Sequence, residues 1–384
     1  MSGPFRKKKP PSGRRPGKKS DPGEPRIPVA EQLLIAHLER LTGDSAWMTT
    51  LGRAQTAIRW AAANPQGQAL CLSLDRYLAD ETEVACQIEN LPNLSVVCAA
   101  DFPPAGEQAP AVVAIPVSSR GDAELTRDLL QSGYERLREG GILATAVDQS
   151  EDVWLHEQMQ LLAKSVTRIA NRAGVVYLLH KTGPLKRPRD FACEFAFRDT
   201  GVEDAPEKDT TEQQEPIRLF SRPGVFSHRR LDLGARALIE RMVIQPGSRV
   251  IDLGCGCGAV GIAAGLRAGD DGTVHFVDSS PRAIECATKG ATASDLSFTT
   301  QLEAAGKIEP AGTFDVALTN PPYYSHFRIS EILLSAADRA LKPGGRVFAV
   351  AKPNDWLPER MAQLFTKTKT ETARGYIVVS GFKE

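Results

Sequence analysis

The stretch Val250-Ile-Asp-Leu-Gly-Cys-Gly-Cys-Gly258 decides the fold of this chain. Its first four residues, apolar except for Asp252, predict a buried strand, and the three alternating glycines predict a tight turn into the alanine-rich helix over residues 259–266. Because glycine has no Cβ, the backbone of such a turn can approach a ligand closely. A glycine-rich turn between a strand and a helix indicates a nucleotide-binding α/β fold, although many unrelated binders share it.

Two further features restrict which cofactor the turn can bind. Asp278 ends the next predicted strand, twenty residues after Gly258, where its carboxylate can accept hydrogen bonds from both hydroxyls of a ribose. The glycine spacing is GxGxG with an acid before the first glycine, which fits S-adenosylmethionine, since its methionine end has no pyrophosphate to hold. We therefore expect this cofactor to bind at Asp252, Gly254, Gly256, Gly258 and Asp278. A generic dinucleotide fold is the alternative.

Polar residues after the third strand of this unit are candidates for the adenine edge. Gln301 is the first choice and Glu303 the second, because several polar side chains compete for the position. Cys255 and Cys257 lie inside the glycine turn, but no second cysteine pair or nearby histidine completes a metal-ligand set. We interpret them as small residues in a crowded turn and expect no metal.

A second pattern, Asn320-Pro-Pro-Tyr323, follows the apolar strand predicted over residues 314–319. The Asn320 side-chain oxygen and the Pro321 carbonyl offer two acceptors, and Tyr323 offers a ring, which together suit a planar amide or a nucleobase with an exocyclic amino group. Hydrogen bonds from both amino protons would turn the nitrogen lone pair toward an electrophile, so catalysis would depend on positioning and electrostatics. We predict Asn320, Pro321 and Tyr323 as catalytic and Pro322 as a substrate contact. The alternative is a plain turn.

Strands and helices alternate along two successive segments, which predicts an α/β fold with parallel sheets covered by helices. The segments resemble each other: Leu137-Arg-Glu-Gly-Gly141 parallels Leu341-Lys-Pro-Gly-Gly345, and residues 154–181 align without gaps on 356–383. We infer an internal duplication, with domains over residues 27–197 and 217–384 and an acidic linker over 198–216. At the position of the glycine turn, the first domain has residues 69–75, which contain no glycine. It also has no counterpart of Asn-Pro-Pro, so we expect the first domain to be catalytically silent.

Composition and charge restrict the class of protein. The chain has 384 residues and a net charge of zero, but residues 1–26 hold nine Lys or Arg against two acids, a net charge of +7, so the rest carries −7. Such a basic segment, with Met1 and Phe5 as its only large apolar residues, predicts a disordered arm that binds polyanions, or only a solubilising tail. The seven cysteines have no framework spacing, which favours reduced thiols in a cytoplasmic protein. The sequence shows no apolar run of membrane-spanning length and no secretory signal, so we expect a protein that does not enter a membrane.

The motifs together resemble a known family. VIDLGCGCG, HFVD and NPPY look like class I S-adenosylmethionine-dependent methyltransferases, and residues 223–234 closely resemble a segment of the RsmC/RlmG group of ribosomal RNA guanine-N2 methyltransferases. The resemblance implies two tandem Rossmann-like methyltransferase domains with mostly parallel seven-stranded sheets, the N-terminal one degenerate and supporting RNA binding. It also implies that Gly254, Gly256, Asp278 and Asn320 hold cofactor and amino group, with Phe226 beside the methionine end.

The resulting hypothesis is methylation of guanine N2 in ribosomal RNA, with 16S RNA of the small subunit favoured over 23S RNA of the large subunit. Basic residues that could guide the RNA include Arg222, Arg229, Arg230 and Lys352, together with Lys186, Arg187 and Arg189 at the end of the first domain. A protein glutamine-N5 methyltransferase acting on a translation factor is the alternative. It is disfavoured because enzymes of that group have a helical bundle as N-terminal domain, whereas this chain has a second α/β pattern there. DNA adenine methylation and a non-enzymatic RNA-binding role are weaker alternatives. We expect a monomer or weak dimer with ribosomal RNA or a ribosomal subunit as partner.

Overall fold

A computed structural model describes residues 26–199, 215–322 and 327–384 of the chain. Residues 1–25 of the predicted arm, residues 200–214 of the predicted linker and Tyr323 lie outside the described residues. The described part contains two sheets of seven strands each, which confirms the predicted fold class. None of the described helices is long and apolar enough to cross a membrane.

The N-terminal domain, as we use the term below, comprises β1–β7 and α1–α5. Its strands are β1 (Ser45–Thr49), β2 (Gln68–Ser73), β3 (Leu94–Cys98), β4 (Val112–Val117), β5 (Ile142–Val147), β6 (Thr167–Ala170) and β7 (Val175–His180). Its helices are α1 (Val29–Ile35), α2 (Gln55–Ala63), α3 (Arg76–Glu89), α4 (Ala123–Arg136) and α5 (Trp154–Leu162). The strands lie in the order β3-β2-β1-β4-β5-β7-β6, and only β7 runs antiparallel to its neighbours.

The C-terminal domain comprises β8–β16 and α6–α10. Its strands are β8 (Cys193–Phe197), β9 (Ile217–Ser221), β10 (Arg249–Leu253), β11 (Thr273–Asp278), β12 (Phe298–Leu302), β13 (Phe314–Thr319), β14 (Leu341–Ala351), β15 (Thr366–Ala373) and β16 (Tyr376–Phe382). Its helices are α6 (Leu233–Arg241), α7 (Ala259–Ala268), α8 (Pro281–Ala293), α9 (Arg328–Ala340) and α10 (Trp356–Leu364). Its large sheet has the order β12-β11-β10-β13-β14-β16-β15.

The two strand orders are identical position by position, which confirms the duplication. The pairing of the strands corrects one detail of the sequence comparison. The counterpart of β10 is β1, not β2, so the glycine turn corresponds to residues 50–54 rather than to 69–75. The error arose because β1 is short and its turn retains a single glycine, Gly52, so this strand carries no motif signal.

Strand β8 packs within the C-terminal domain although it lies inside the range predicted for the first one. It pairs antiparallel with β9, and Phe197 joins Ile217 and Leu219 in the core that also contains α6 and α7. The two strands flank the predicted linker and form a small separate sheet. The compact core of the C-terminal domain therefore begins before residue 198.

The two domains meet through buried charges. Arg222 and Arg282 of the C-terminal domain face Asp101 and Asp128 of the N-terminal domain, and the side chain of Arg282 is only 1 % exposed. The Arg222 guanidinium makes two hydrogen bonds to Asp101 at 2.9 Å and one to Glu285 at 2.8 Å. This cluster corrects the expectation that Arg222 guides RNA, because its cation is already engaged between the domains.

Candidate active site

The glycine turn after β10 adopts the backbone that its sequence predicts. Gly254, Gly256 and Gly258 have φ angles of 73°, 54° and 84°, a region that side-chain-bearing residues rarely occupy. A Cβ at Gly256 would meet no atom within 4 Å, so this position faces open space. Hydrogen bonds from the N–H groups of Gly254 and Cys255 to the Val277 carbonyl, at 2.8 and 3.0 Å, hold the turn against the end of β11.

Asp278 and Asp252 lie on either side of this turn with fixed orientations. Asp278 accepts hydrogen bonds from Gly256 N–H at 2.9 Å and Ser280 N–H at 2.8 Å, and burial raises its pKa. One Asp252 oxygen accepts from Gly261 N–H at 2.8 Å, and burial raises the pKa of Asp252 to about 7. A carboxylate has about four lone-pair sites, so two backbone donors leave Asp278 able to accept ribose hydroxyls.

The Asn320 side chain is held by a residue that the sequence analysis did not assign. Its Nδ2 donates a hydrogen bond to Asp232 Oδ2 at 3.0 Å. Asp232 is the N-cap of α6, and its Oδ2 also accepts from Ala235 N–H at 3.0 Å. An N-cap acid before an apolar helix was a readable signal, but it predicted helix capping only. Because Asp232 contributes an acceptor oxygen, the amide nitrogen must face it and Asn320 Oδ1 is left for a substrate.

A single cleft brings most of the predicted residues together. Its walls come from segment 223–234, the start of α6, the glycine turn and the end of β13, and its lining includes Phe226, Arg230, Asp232, Asp252, Gly254, Gly256 and Asn320. Phe226 is 59 % exposed, so its ring is available to a ligand. Gly258 is the N-cap of α7, at the end of the turn. Pro321 is buried and Pro322 half-buried immediately after Asn320, while Tyr323 stays a prediction outside the described residues.

The N-terminal domain holds the segment that forms one wall of this cleft. Glu124 receives two hydrogen bonds from the Arg229 guanidinium, at 3.0 and 3.1 Å, and lies 3.2 Å from His228 Nε2. Asp122 accepts from Gly224 N–H at 3.3 Å. The Arg229 side chain is 47 % exposed beside this ion pair, and its contact with substrate stays a prediction.

Two other predicted contacts do not reach the cleft. The Gln301 amide donates to the Lys307 carbonyl at 2.6 Å, and its oxygen lies 3.2 Å from His275 Nε2, so both ends of the side chain are occupied within the protein. Glu303, the second choice for the adenine edge, lies closer: its N–H donates to the Asp278 carbonyl at 2.9 Å. Lys352 lies at the end of β14, with its Nζ 5.2 Å from the centre of the Tyr376 ring rather than in the cleft wall.

The cysteines of the turn are packing residues. Cys255 and Cys257 are buried, and burial raises the pKa of Cys257 to about 12 and that of Cys255 well above its ordinary value. Within residues 26–199, 215–322 and 327–384, no group of three or more His, Cys, Asp or Glu side chains is placed to hold a metal ion. Both thiols are therefore protonated and fill space beside α7.

Comparison with known proteins identifies the C-terminal domain. Residues 216–380 match the family model described as "Methyltransferase small domain". A ribosomal RNA small subunit methyltransferase C from Marinomonas sp. is 29 % identical over 276 residues, covering 67 % of this chain and 73 % of the relative. A ribosomal RNA large subunit methyltransferase G from Streptomyces coelicolor is 32 % identical over 181 residues, covering 44 % of this chain and 48 % of the relative.

Other matches agree with these. A small subunit methyltransferase C from Hahella chejuensis is 32 % identical, over 38 % of this chain and 43 % of its own length. The chain thus spans less than half the length of several curated relatives it matches. A solved structure of T. thermophilus RsmC, a 16S rRNA N2 methyltransferase in complex with AdoMet and guanosine, has a TM-score of 0.72 at 20 % identity and 92 % coverage of both chains, which shows the shared fold. The resemblance read from the motifs is confirmed.

Proposed function

We propose that the chain transfers a methyl group from S-adenosylmethionine to the exocyclic N2 amino group of a guanine in ribosomal RNA, with 16S RNA of the small subunit as the favoured target. The observation that carries the proposal is the 3.0 Å hydrogen bond from Asn320 Nδ2 to Asp232. It fixes the amide so that Oδ1 is presented beside the glycine turn, where an amino group and a methyl donor can meet.

The residues of the cleft fit the cofactor. Gly256 leaves room for a ligand against the backbone, and Asp278 retains acceptor capacity at the end of β11, where nucleoside ligands bind in open α/β sheets. Gly254 and Gly258 complete the turn, Asp252 anchors it to α7, and Phe226 supplies an exposed ring in the same cleft. S-adenosylmethionine supplies an electrophilic methyl group at this position.

The chain's own contribution to catalysis is orientation of the amino group. A guanine N2 lone pair is delocalised into the ring, so it is a weak nucleophile. Hydrogen bonds from its two N–H groups to Asn320 Oδ1 and the Pro321 carbonyl would turn the lone pair out of the ring plane and favour a tetrahedral nitrogen. These acceptors would also stabilise the positive charge that develops on nitrogen, and Tyr323 would stack on the base.

Ribosomal RNA is favoured as the target because one relative, matched over 73 % of its length, and others, matched over less than half of theirs, are named for it. Small-subunit and large-subunit enzymes both match, so 23S RNA is the second candidate. A glutamine side chain presents a similar amide, but the described N-terminal domain is a second seven-stranded α/β unit rather than a helical bundle, which disfavours a protein target. We place the chain in the cytoplasm, as a monomer or weak dimer.

The test is transfer of labelled methyl from S-adenosylmethionine to isolated small subunits, large subunits and protein-free ribosomal RNA, followed by nucleoside analysis. We expect N2-methylguanosine in 16S RNA. Label in 23S RNA instead would support the second candidate. Label in a protein, or in no nucleoside, would overturn the proposal.

A further inference from the structure

A groove on the N-terminal domain has the composition of a binding site. It lies between α4, α5 and residues 185–191 and has a volume of about 380 Å³. Four cations surround it, Arg127, Lys186, Arg187 and Arg189, while Phe191 and Leu161 contribute apolar surface to its interior. Leu161 is 62 % exposed, so this apolar surface is open to a ligand.

The four cations are not neutralised by the part of the chain that the structure describes. The Arg127 guanidinium donates to Gln158 Oε1 at 3.0 Å and lies 5.4 Å from the centre of the Trp154 ring, both uncharged partners. None of the four forms an ion pair with a described carboxylate. Because the chain outside residues 1–26 carries a net charge of −7, this cluster is a local feature and not part of a generally basic surface.

The loop that supplies three of the cations is fixed in place. Gln131 on α4 donates from Nε2 to the Arg189 carbonyl at 2.9 Å and accepts from Arg189 N–H at 2.8 Å. These two hydrogen bonds tie residues around 189 to the helix that also carries Arg127. The cations are therefore preorganised, which reduces the ordering cost of binding a polyanion.

The groove lies next to the proposed active site along α4. Glu124, Arg127 and Gln131 are spaced three and four residues apart and so share one face of this helix. Glu124 contacts Arg229, whose neighbour Arg230 lines the catalytic cleft. At about 1.5 Å per residue, Arg127 is only about 5 Å further along the helix axis than Glu124. A strand leaving the cleft past Arg230 can thus reach the groove within a few nucleotides.

We propose that this groove binds the single-stranded RNA next to the target nucleotide, an inference that rests on the proposed function of the cleft. Arg127, Lys186, Arg187 and Arg189 contact phosphates, and the apolar interior at Leu161 and Phe191 receives an unstacked base. Positive charge combined with an apolar or aromatic surface is the pattern by which proteins bind single strands, whose bases are exposed, whereas a duplex keeps its bases stacked.

The first test reverses charge on the full-length protein. The variant Lys186→Glu/Arg187→Glu is compared with Arg59→Glu/Arg172→Glu, which makes the same change in net charge at exposed positions of the same domain outside the groove. Binding of a single-stranded RNA of about 12 nucleotides is followed by fluorescence anisotropy at several salt concentrations. We expect at least about a tenfold loss of affinity for the groove variant and a salt slope smaller by about 1.4, since each lost phosphate contact removes about 0.7.

The second test separates the apolar contact from charge. Leu161→Ser is compared with Ile88→Ser, because Ile88 is 78 % exposed on α3 of the same domain. We expect Leu161→Ser to weaken binding of the single strand, to leave the salt slope unchanged and to have little effect on a duplex of the same sequence. Equal losses for groove and control variants, or none for either groove variant, would overturn the proposal. Poly-glutamate serves as a second probe, for an acidic protein partner. If the groove variants lose poly-glutamate binding but keep RNA binding, the groove binds a protein and the proposal is overturned.

These experiments do not depend on turnover, so the two proposals can fail separately. If the wild-type protein methylates no RNA nucleoside but the groove variants still lose RNA affinity, only the proposed activity is wrong. If methylation is found and Lys186→Glu/Arg187→Glu leaves the KM for RNA unchanged, only the groove is wrong. Both proposals together predict a raised KM for RNA with kcat and cofactor affinity near wild type.

Discussion

Turn 254–258 of the C-terminal domain and turn 50–54 of the N-terminal domain occupy the same place in two sheets of identical strand order. The first has three glycines with positive φ, whereas the second reads Thr-Leu-Gly-Arg-Ala, and its last residue, Ala54, has a φ of 53°. Ala54 and Gly258 both precede the helix that follows, in the left-handed conformation. Turn 50–54 thus keeps the backbone path of turn 254–258 but not its space for a ligand.

The N-terminal turn is filled by a side chain of its own domain. Glu31 of α1 is fully buried and accepts hydrogen bonds from Thr50 Oγ1 at 2.8 Å, Leu51 N–H at 2.9 Å and Thr56 N–H at 3.1 Å. A buried carboxylate therefore satisfies donors at the position that faces the cleft in the other domain. In this domain internal hydrogen bonds occupy the turn, whereas the corresponding turn of the C-terminal domain faces open space at Gly256.

The other two site positions differ in the same direction. When β1 is aligned with β10, the strand registers make Ser73 of the N-terminal domain equivalent to Asp278 and Pro116 equivalent to Asn320. Ser73 still accepts a hydrogen bond from Asp75 N–H at 3.3 Å, as Asp278 does from Ser280, so the loop geometry is retained without the carboxylate. The two loops touch at the domain boundary, where Ser279 donates to Asp75 at 2.7 Å. The two copies thus contact each other at the loop that follows Asp278.

The largest effect is expected at the charges that join the two copies. Arg282→Met should lower the free energy of unfolding by about 3–5 kcal/mol, because Asp128 loses the buried cation that lies 2.6 Å away and Asp101 keeps only Arg222. Urea denaturation followed by circular dichroism measures this. The matched control is Arg339→Met, whose guanidinium only donates to the Gly306 carbonyl within the C-terminal domain. Equal losses for the two variants would show that the interdomain cluster has no special weight.

Asn320→Ala should reduce kcat about 10²–10³-fold, equivalent to about 2.7–4 kcal/mol, if Asn320 Oδ1 stabilises charge in the transition state. S-adenosylmethionine affinity should stay near wild type, because Asn320 is predicted to contact the substrate. Steady-state kinetics and calorimetry give both quantities. Asn354→Ala, at the same edge of the sheet, is the control. A variant that loses cofactor affinity as much as turnover would make Asn320 a structural residue.

Glu31→Ala should destabilise the chain by about 1–3 kcal/mol, because several buried donors lose their acceptor. It should leave cofactor affinity unchanged, since we predict that the N-terminal domain holds no cofactor site. Thermal unfolding and calorimetry check the two statements. Appearance of a second cofactor site in this variant would mean that Glu31 alone had silenced the domain.

Glu124→Ala should weaken cofactor binding by about threefold, the smallest effect of the series. Glu124 holds Arg229, and both Ser227 and Arg229 have positive φ, so the cleft wall relies on outside contacts to keep its shape. Calorimetric titration of cofactor into this variant is compared with Glu135→Ala, an exposed acid on the same helix. Unchanged affinity in both would show that segment 223–234 keeps its shape without the other domain.

The fold and the centre of the site could be predicted from the sequence, because both depend on local sequence patterns. Alternating strands and helices predicted the sheets, and the glycine turn with Asp278 and Asn320 predicted residues that the structure brings to one end of the C-terminal sheet. Strand β1 was missed because five residues without a glycine turn give little signal. Edge strands β6 and β15 were missed because their exposed, polar faces lack apolar alternation.

Contacts between distant segments were beyond the reach of sequence patterns. Arg229 looked like a free cation until the fold placed Glu124, 105 residues earlier in the chain, against it. Asp232 had no assigned role until Asn320, 88 residues later, was found to donate to it. Gln301 sat at the right strand end, but its side chain is engaged by the 307–309 loop. In each case tertiary packing, and not residue type, decided the role.

The most direct measurement is calorimetric titration of S-adenosylmethionine into the full-length chain and into two variants at equivalent positions, Asp278→Ala and Ser73→Ala. The structure predicts one site per chain, lost or strongly weakened in Asp278→Ala and unchanged in Ser73→Ala. Two sites per chain, or an equal loss in Ser73→Ala, would contradict the division into one active and one silent copy.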